Sequence, residues 1–428
     1  MIGILFSSFL ILLVLGVPIA FAIGLGALVP IILQGNIPLS LVVSRMFGGI
    51  DSFPLMAIPF FVLTGTLAGA CKLTDRIAAL AAFMVGNLRA GLAHVNIVAS
   101  MLFGGVTGSA VADAAATGSM MIPAMRSQGY PAAYSAAVTA ASSVIGSIIP
   151  PSTMMIIYGF LTGVSTGRMF VGAIIPGIMV GLALMLVAHF QAIRLGIGYD
   201  ANAKPRTLSG FWLILKDSGP AMVVPVIIIG GIVGGFFTPT EAGVVAVVTI
   251  LVLGSIYYRS FTWARLRAAF MTAGYTTAMV MMILAASTVF ANLLTRARFQ
   301  STLIDMLSTV SSVPEIQMLL VIALLLFLTL FIDATAVLIM FAAPLAAVFS
   351  TLGYDPVHSG IVVVVACLIG GVTPPVGTLL FIAAGIARIS VGAASRAILP
   401  FVLALIAVTL IILFIPPLAT WLPSIAFD

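Results

Sequence analysis

The stretch that decides the fold is Ile145-Gly146-Ser147-Ile148-Ile149-Pro150-Pro151, which returns 224 positions later as Ile369-Gly370-Gly371-Val372-Thr373-Pro374-Pro375. The repeat extends outward without a gap, because Ser-Ala-Val-Ala at 109–112 corresponds to Asp-Ala-Thr-Ala at 333–336, and Pro176 to Pro400. Both Pro-Pro pairs lie in apolar sequence, where an unbroken membrane helix is otherwise expected. Two halves, each with a helix broken at the same place, indicate a secondary transporter with its site at the repeat interface.

The composition is that of a polytopic membrane protein. Of the 428 residues, 62% are hydrophobic and 7% are charged, and the mean hydropathy is +1.31. Apolar runs of about 18 residues or more recur and predict roughly ten to twelve membrane spans. The net charge of +6 comes from basic residues spread over short loops, which is typical of cytoplasmic connections and does not suggest nucleic-acid binding. Cys71 and Cys367 lie in apolar sequence without metal-ligand spacing, so we interpret both as core residues.

Two segments frame the first half. The apolar stretch 2–33 is too long for the hydrophobic region of a signal peptide, and no Lys or Arg precedes Arg45, so we expect a retained helix divided near Gly16-Val17-Pro18. The polar stretch 191–218 carries four basic residues and predicts a cytoplasmic linker, with an interfacial segment around Phe211-Trp212-Leu213. No soluble domain of any size is predicted, so a water-soluble partner would have to be another chain.

Each half contains an apolar segment that we interpret as two short helices meeting at a turn. The first segment, 92–125, is rich in Gly, Ala and Ser, and predicts a re-entrant hairpin that turns near 105–110. The second hairpin, 316–346, is predicted to turn near Phe331-Ile332-Asp333. A Gly-Tyr pair follows each hairpin, and then comes the helix that the Pro-Pro pair breaks, at 131–165 and 356–387.

The charges that flank the two hairpins predict opposite orientations. Four basic residues flank the first hairpin: Lys72, Arg76, Arg89 and Arg126. The second hairpin lies in a stretch without Lys or Arg between Arg298 and Arg388. By the positive-inside rule, the first hairpin enters from the cytoplasm and the second from the opposite side. The two repeats are therefore predicted to be inverted.

The breaks themselves suggest a cation site. Two consecutive prolines lack N–H groups, so carbonyls about four residues upstream lose their helical partners. Such carbonyls are costly in hydrocarbon unless something satisfies them, and a bound monovalent cation does so. The hydroxyls of Ser147 and Thr373 lie beside the two breaks. The alternative is a structural kink solvated by neighbouring Ser and Thr or by water; the duplication, with a hairpin before each break, favours the cation.

Two acidic residues lie near the predicted hairpin tips. Asp333 occupies the second tip, where the first half has Ser109, and an intramembrane carboxylate predicts a functional site. Asp333 would compensate a cation, cap a short helix, or do both. Asp113, one turn past the first tip, is either a site residue or a helix-end charge that reaches water at the cytoplasmic mouth.

The other polar residues have structural interpretations. Thr238-Pro239-Thr240-Glu241 predicts a capping box with proline at the first helical position. Asp51 resembles a helix cap as well. The three histidines share no ligand spacing and are predicted to be interfacial or internally hydrogen-bonded: His94, His189 and His358. Nothing resembles a catalytic triad, a phosphate loop or a haem ligand pair, so we do not expect an enzyme.

Over nearly its whole length the chain resembles the large membrane subunit of tripartite ATP-independent periplasmic (TRAP) transporters. The resemblance rests on seven stretches, which include Gly-Ser-Ala-Val-Ala-Asp at 108–113, Ile-Ile-Pro-Pro-Ser at 148–152 and Thr-Pro-Pro-Val-Gly at 373–377; the others are 51–61, 91–97, 140–143 and 237–243. It implies an elevator-type transporter with the ion-transporter-superfamily fold in the bacterial inner membrane. It also implies a small membrane subunit of about four spans and a periplasmic binding protein that delivers a carboxylate, with uptake driven by sodium rather than ATP.

The same resemblance implies a division into scaffold and transport parts. Residues 1–90 and 219–300 would be the scaffold parts of the two repeats, and 191–218 the linker. The transport parts would be 91–190 and 301–428, each with its hairpin and its broken helix.

By that resemblance, Na⁺ would bind where each hairpin tip meets its broken helix, mostly through backbone carbonyls. Site one would use Ser109 with Gly146, Ser147 and Pro150. Site two would use Asp333 and Thr335 with Gly371, Thr373 and Pro374. The carboxylate would lie between them, near four hydroxyls: those of Ser109, Ser152, Thr335 and Thr378.

Two other functions compete with this interpretation. A self-sufficient sodium/anion symporter or antiporter of the same superfamily would transport without partner proteins. An ion channel would show rings of like charge or a filter along an aqueous path, and the sequence has neither. The substrate stays open among C4-dicarboxylates, sialic acid and other organic acids, because selectivity would rest largely on the binding protein.

Overall fold

The fold is entirely helical in the part of the chain that the structure describes. A computed structural model describes residues 1–35, 37–198 and 207–427, and no β-strand occurs among them. Helices satisfy their backbone donors and acceptors internally, which apolar surroundings demand. The predicted all-α class is therefore confirmed.

Among its described residues, the first half contains eleven α-helices. They are α1 Ile2–Val14, α2 Ile19–Gln34, α3 Leu39–Ile50, α4 Ala57–Ala70, α5 Leu73–Val85, α6 Gly91–Thr107, α7 Ala110–Ser127, α8 Ala132–Ser143, α9 Thr153–Thr162, α10 Thr166–Gly172 and α11 Ile174–Arg194. Short 3₁₀ segments precede α4 and follow α8, at Phe53–Met56 and Val144–Ser147.

The second half contains ten α-helices in the part that the structure describes. They are α12 Leu208–Val233, α13 Pro239–Val252, α14 Trp263–Arg296, α15 Phe299–Val310, α16 Pro314–Thr329, α17 Ala334–Thr351, α18 Pro356–Gly370, α19 Thr378–Ala387, α20 Val391–Phe414 and α21 Pro417–Phe427. A π-helical turn, Leu253–Tyr257, extends α13.

Within the described ranges, seven helical segments are long and apolar enough to cross a membrane, and the pair α15 and α16, bent by 117°, would make an eighth. This is fewer than the ten to twelve spans predicted. The reason is that breaks divide several apolar runs into helices of 10–17 residues. Large apolar side chains cover the outer surface of the long helices: Leu182 and Leu403, for example, are 59% and 66% exposed. A surface of this kind belongs in lipid, so the chain is a multi-pass membrane protein.

Two boundaries bear on the sequence predictions. The apolar stretch 2–33 is divided as expected, because α1 ends at Val14 and α2 begins at Ile19 after Pro18. The linker predicted over 191–218 is shorter at both ends, since α11 continues to Arg194 and α12 begins at Leu208. The predicted interfacial segment at 211–213 is thus part of a helix, and residues 199–206 lie outside the described ranges.

Both hairpins have two arms that meet at a short turn. In the first, α6 and α7 pack on each other and meet at Gly108-Ser109. In the second, α16 and α17 pack on each other and meet at residues 330–333. Each hairpin packs on the first arm of the broken helix that follows it, α8 or α18.

The second arms of the broken helices are exchanged between the halves. Helix α9, after the first break, packs on α17 and α18 of the second half. Helix α19, after the second break, packs on α7 and α8 of the first half. The two hairpins and two broken helices therefore form one packed body, which lies against α4 and α14.

Side-chain contacts establish which helix ends lie together. Arg126, at the end of α7, donates to the Ala387 carbonyl at the end of α19 over 3.1 Å. His358, near the start of α18, lies 2.9 Å from the Ile412 carbonyl near the end of α20. Helix α20 follows α19 directly and, at 24 residues, is about 36 Å long. The starts of α8 and α18 therefore lie at opposite ends of the bundle.

A second basic side chain, that of Arg89, lies at the end of the bundle that holds Arg126. Tyr134, near the start of α8, donates to the Ala188 carbonyl in α11 over 2.8 Å. Just past α11, the Ile197 carbonyl accepts a 2.9 Å hydrogen bond from Arg89.

Candidate functional site

The first hairpin tip consists of Gly108 and Ser109. Gly108 ends α6 with a φ of +62°, and a Cβ at this position would lie 2.5 Å from the Pro151 carbonyl oxygen, which only glycine avoids. Ser109 is the N-cap of α7, since its hydroxyl accepts a hydrogen bond from the Ala112 amide at 3.4 Å. The tip therefore lies directly against the first Pro-Pro break.

Hydrogen bonds join this tip to both sides of the first break. The Ala110 amide donates to the Ser147 hydroxyl over 2.7 Å. The Gly108 carbonyl accepts from the Thr153 amide at 3.1 Å and from the Thr153 hydroxyl at 3.0 Å. The Ser152 hydroxyl spans the break and donates to the Ser147 carbonyl. Tip and break thus form one buried, hydrogen-bonded unit.

Asp113 lies beneath this unit with a fully buried side chain. Its exposure is 0%, and neither carboxylate oxygen has a hydrogen-bond partner. A Cβ added to Gly146 would lie 3.1 Å from the Asp113 Cβ and 3.7 Å from its Oδ2, so the carboxylate faces the broken backbone. The hydroxyls of Ser100 and Ser143 are close to it, but both donate to other acceptors. The interpretation of Asp113 as a helix-end charge that reaches water is therefore wrong.

A buried polar network leads to Asp113 along two helix faces. The Asn96 amide donates to the Thr139 hydroxyl over 2.7 Å and accepts from the Ser142 hydroxyl over 3.4 Å. Ser100 donates to Ser142 over 3.2 Å. Sequence reasoning missed this network, although Asn96 and Ser100 on α6 are spaced by four residues and Thr139 and Ser142 on α8 by three. That spacing places each pair on one helix face.

The second hairpin tip has a different chemistry. Asp333 is the N-cap of α17 and accepts a hydrogen bond from the Thr335 amide at 2.9 Å, so its predicted capping role is confirmed. In the hairpin's first arm, Thr329 packs tightly on Gly370, where an added Cβ would overlap the Thr329 side chain. Gly104 and Gly146 make the equivalent close approach in the first half, where a Cβ on Gly104 would lie 2.7 Å from the Gly146 Cα.

The second break is more open than the first. The Thr373 hydroxyl donates to the Ile369 carbonyl over 2.7 Å, and the Gly371 carbonyl accepts from the Leu379 amide at 2.9 Å. In the described part of the chain, no hydrogen bond joins Asp333 or Thr335 to this break. Thr373 and Pro374 are half-buried, whereas Ser147 and Pro150 of the first break are buried.

The predicted substrate hydroxyls have unequal access. Ser109 and Thr335 are half-buried at the two tips, and Thr378 is exposed at the start of α19. Ser152 is fully buried, and besides donating to Ser147 it accepts from the Met155 amide at 3.3 Å. The Ser152 hydroxyl is therefore engaged in hydrogen bonds at the first helix break in this conformation.

Two further acidic residues, Glu241 and Asp51, are predicted to have structural roles. The predicted capping box is confirmed, because the Glu241 carboxylate accepts from the Thr238 amide at 2.8 Å while the Thr238 hydroxyl accepts from the Glu241 amide. Asp51 is also a helix cap, as predicted: it is the C-cap of α3, and its amide donates to the Phe47 carbonyl over 3.0 Å. Its carboxylate does not cap the helical segments that follow.

The histidines and cysteines lie in the apolar core or next to it. His358 bonds to a backbone carbonyl as predicted, whereas both ring nitrogens of buried His94 lack partners and its ring lies 5.9 Å from that of His189. Cys71 and Cys367 are buried and unpaired, which confirms their interpretation. Across residues 1–35, 37–198 and 207–427, no group of three or more His, Cys, Asp or Glu is placed to hold a metal ion. Oxygen atoms of carbonyls, hydroxyls and single carboxylates are thus the available ligands.

Comparison with known proteins identifies the family. The sequence profile of the family described as "Tripartite ATP-independent periplasmic transporter, DctM component" matches residues 6–418. The chain belongs to the DctM family. It is 36% identical to the sialic acid TRAP transporter large permease SiaM of Vibrio cholerae, over 97% of this chain and 96% of SiaM. It is 35% identical to the 2,3-diketo-L-gulonate TRAP transporter large permease YiaN of Escherichia coli, over 94% of each.

A longer relative and a solved structure extend the comparison. The isethionate TRAP transporter permease DctMQ of Oleidesulfovibrio alaskensis is 37% identical over 96% of this chain, which spans 65% of that relative's length. The YdaH transporter of Alcanivorax borkumensis has a similar fold, with a TM-score of 0.63, 15% identity and coverage of 88% of each chain. DctMQ, SiaM and YiaN are all named as TRAP transporter permeases, and together with the family match this confirms the resemblance to TRAP transporters.

Proposed function

We propose that this DctM-family chain couples the inward movement of Na⁺ to the uptake of an organic anion. The observation that carries the proposal is the first hairpin tip, which is hydrogen-bonded to both sides of a helix break above an unpaired, buried carboxylate. A buried negative charge without a partner is costly, and a bound cation removes that cost. Membrane transporters coordinate Na⁺ with carbonyls of unwound helices of this kind.

The two sites would differ in their ligands. At the first, carbonyls near Gly146 and Pro150 and the hydroxyls of Ser109 and Ser147 would surround the ion, and Asp113 would balance its charge. At the second, Asp333, Thr335 and Thr373 would act with the carbonyls of Gly371 and Pro374. The anion would bind between the tips, where Ser109, Thr335 and Thr378 have hydroxyls at half-buried or exposed positions.

The proposed mechanism is an elevator with inverted repeats. Support for inversion comes from the contacts of Arg126 and His358, which put the starts of α8 and α18 at opposite ends of the bundle. Support for the elevator comes from the exchange of α9 and α19, which joins both hairpins and both breaks in one body. A body of this kind can move as a unit against the framework of α4 and α14.

The proposed partners and location follow the family. A small membrane subunit and a periplasmic binding protein would complete the transporter, and the chain would lie in the bacterial inner membrane. Sialic acid and 2,3-diketo-L-gulonate, named for SiaM and YiaN, are carboxylates, and isethionate, named for DctMQ, is a sulfonate. We propose a carboxylate for this chain.

The test is uptake by proteoliposomes that contain this chain and its small subunit. With substrate-loaded binding protein outside, an inward sodium gradient should drive accumulation, and an equal gradient of choline should not. Omitting the binding protein should reduce uptake to the background rate. Equal uptake without either partner would favour a self-sufficient symporter instead.

A further inference from the structure

An open cavity of about 600 Å³, with a mixed polar and apolar lining, lies outside the sites described so far. One wall comes from α3 and α14, and the other from α9 and α17, so it lies between the framework and the packed body of hairpins. Its polar lining is formed by Ser44, Arg45, Ser287, Thr288, Asn292 and Thr295. Ligand sites for small molecules have volumes of roughly 300–1,000 Å³, so the cavity is large enough for one.

The charge of the cavity is positive and unbalanced. Arg45 is the single ionisable residue that lines the cavity. Arg45 has no acidic partner within 4 Å, because the one such ion pair among the described residues joins Arg76 to Asp217 elsewhere in the protein. The other polar lining residues supply hydroxyls and an amide. Arg296 donates to Oδ1 of Asn292 over 3.1 Å, which leaves the amide nitrogen of Asn292 as a donor for a ligand. The site thus offers hydrogen-bond donors around one cation.

The backbone at Arg45 is held by contacts between α3 and α14. The Thr288 hydroxyl is shared between the Arg45 carbonyl at 3.0 Å and the Ala285 carbonyl of its own helix at 2.7 Å. Gly49, one turn later in α3, lies so close to Thr288 that an added Cβ would overlap its side chain. In addition, the hydroxyl of Ser287 is buried and has no partner. The backbone of this wall is therefore two closely packed helices, from which the exposed Arg45 side chain extends.

The far wall of the cavity and the second hairpin tip share one face of α17. Ile339 and Ala343, which line its far wall, lie one and two turns after Thr335 in α17. Residues spaced by four lie on the same side of a helix. This face of α17 therefore leads from the cavity wall toward Thr335.

The cavity also lies toward the end of the bundle from which substrate would arrive. Helix α14 begins close to Cys71, whose carbonyl accepts a hydrogen bond from the Ser260 hydroxyl over 3.1 Å. Lys72 follows Cys71 directly, and Arg265 and Arg267 lie in the first two turns of α14. The cavity residues 287–295 lie in the last third of α14, toward its other end. Arg45, Arg296 and Arg298 lie at the cavity end, but more basic residues lie at the opposite end, among them Lys72, Arg76, Arg265 and Arg267. By the positive-inside rule the cavity therefore faces the periplasmic half of the membrane.

We infer that this cavity is a vestibule site, at which the anionic head group of the substrate pairs with Arg45 before it reaches the hairpin tips. This inference rests on the proposed uptake of an organic anion. Guanidinium binds carboxylate oxygens through two parallel hydrogen bonds and binds sulfonate oxygens by the same donors. The phosphate of a lipid head group offers the same chemistry, but the hairpin wall, whose helix face leads toward Thr335, favours the substrate.

The kinetic test compares three variants in the complete reconstituted transporter. Arg45→Gln should raise the substrate KM by roughly 10- to 100-fold, because a charge-assisted pair is lost, while the sodium dependence at saturating substrate stays unchanged. Arg45→Lys keeps the charge and should raise KM less. Arg298→Gln removes an exposed charge outside the cavity and should change neither. An unchanged KM in Arg45→Gln protein of normal abundance and melting temperature overturns the inference.

A binding test does not depend on transport. Thr295→Cys in a chain without its two native cysteines places a thiol in the cavity for an anionic methanethiosulfonate. Sialic acid, 2,3-diketo-L-gulonate and isethionate would be tested as protectants, and at least one should slow the modification when Arg45 is present but not in Arg45→Gln. Protection of the thiol by an anion in a transporter that shows no sodium-coupled uptake would support the vestibule site and refute the proposed function. Protection by added anionic phospholipid alone would assign the cavity to lipid and overturn the vestibule.

Discussion

Replacing Asp113 with Asn should have opposite effects with and without sodium. The substitution keeps the shape of a side chain that is fully buried and lacks a hydrogen-bond partner, and it removes the charge. Without sodium the native carboxylate is an uncompensated charge, so the Asp113→Asn protein should be more stable than the native protein. With sodium the native protein gains an ion pair that the variant cannot form.

The geometry gives the size of the effect. A Cβ at Gly146 would lie 3.7 Å from the Asp113 Oδ2. An ion bound to the Gly146 carbonyl would therefore lie about 5 Å from the carboxylate, and at an effective dielectric constant of about 20 the two charges would attract each other by about 3 kcal/mol. Losing this attraction would weaken sodium binding by about 100-fold. Sodium at 100 times its dissociation constant stabilises a protein by about 2.7 kcal/mol, and most of that gain would disappear.

The assay is thermal unfolding of the purified permease in sodium chloride and in choline chloride at equal ionic strength. The native protein should melt at a higher temperature in sodium, and Asp113→Asn should reduce that difference while raising the melting temperature in choline. Asp305→Asn, which neutralises an exposed acid far from the breaks in the sequence, is the control and should behave like the native protein. A sodium-dependent shift of native size in Asp113→Asn would refute the role of this carboxylate.

Three further predictions concern the second site, the first break and the topology. Asp333→Asn keeps the hydrogen bond to the Thr335 amide but removes the charge, so it should raise the sodium concentration for half-maximal uptake by roughly tenfold. Thr373→Val should raise that concentration less. An unchanged sodium dependence in Asp333→Asn at normal expression would remove Asp333 from the site. Ser147→Ala leaves the buried Ala110 amide without its acceptor, and should lower the free energy of unfolding by about 1–3 kcal/mol, measured in choline chloride. Single cysteines at Gln128 and Thr351, which follow α7 and end α17, should react with an impermeant reagent from opposite sides of the membrane, and labelling of both from one side would rule out inverted repeats.

The sequence predicts the helix breaks and the hairpin turns well because local chemistry determines them. A Pro-Pro pair ends a helix in any surroundings, and the breaks in the structure follow Ser143 and Gly370, where α8 and α18 end. The capping box at Thr238 and Glu241 is local as well. Features of this kind need no knowledge of which helices become neighbours.

The burial of Asp113 could not be predicted in the same way, since it depends on contacts between distant segments. The carboxylate is hidden because α6 and the first break approach each other through Gly104 and Gly146, which are 42 positions apart. The contact between His94 and His189 is equally non-local. The exchange of α9 and α19 between the halves has no signature in either helix alone, because both are short and apolar.

The most direct test of sodium coupling is the entry of radioactive sodium into proteoliposomes that hold the complete transporter. Adding substrate-loaded binding protein should start sodium entry in step with substrate entry, and binding protein without substrate should start neither. Both fluxes should fall together in Asp113→Asn when sodium is limiting. Substrate entry at the native rate without any accompanying sodium would contradict the account.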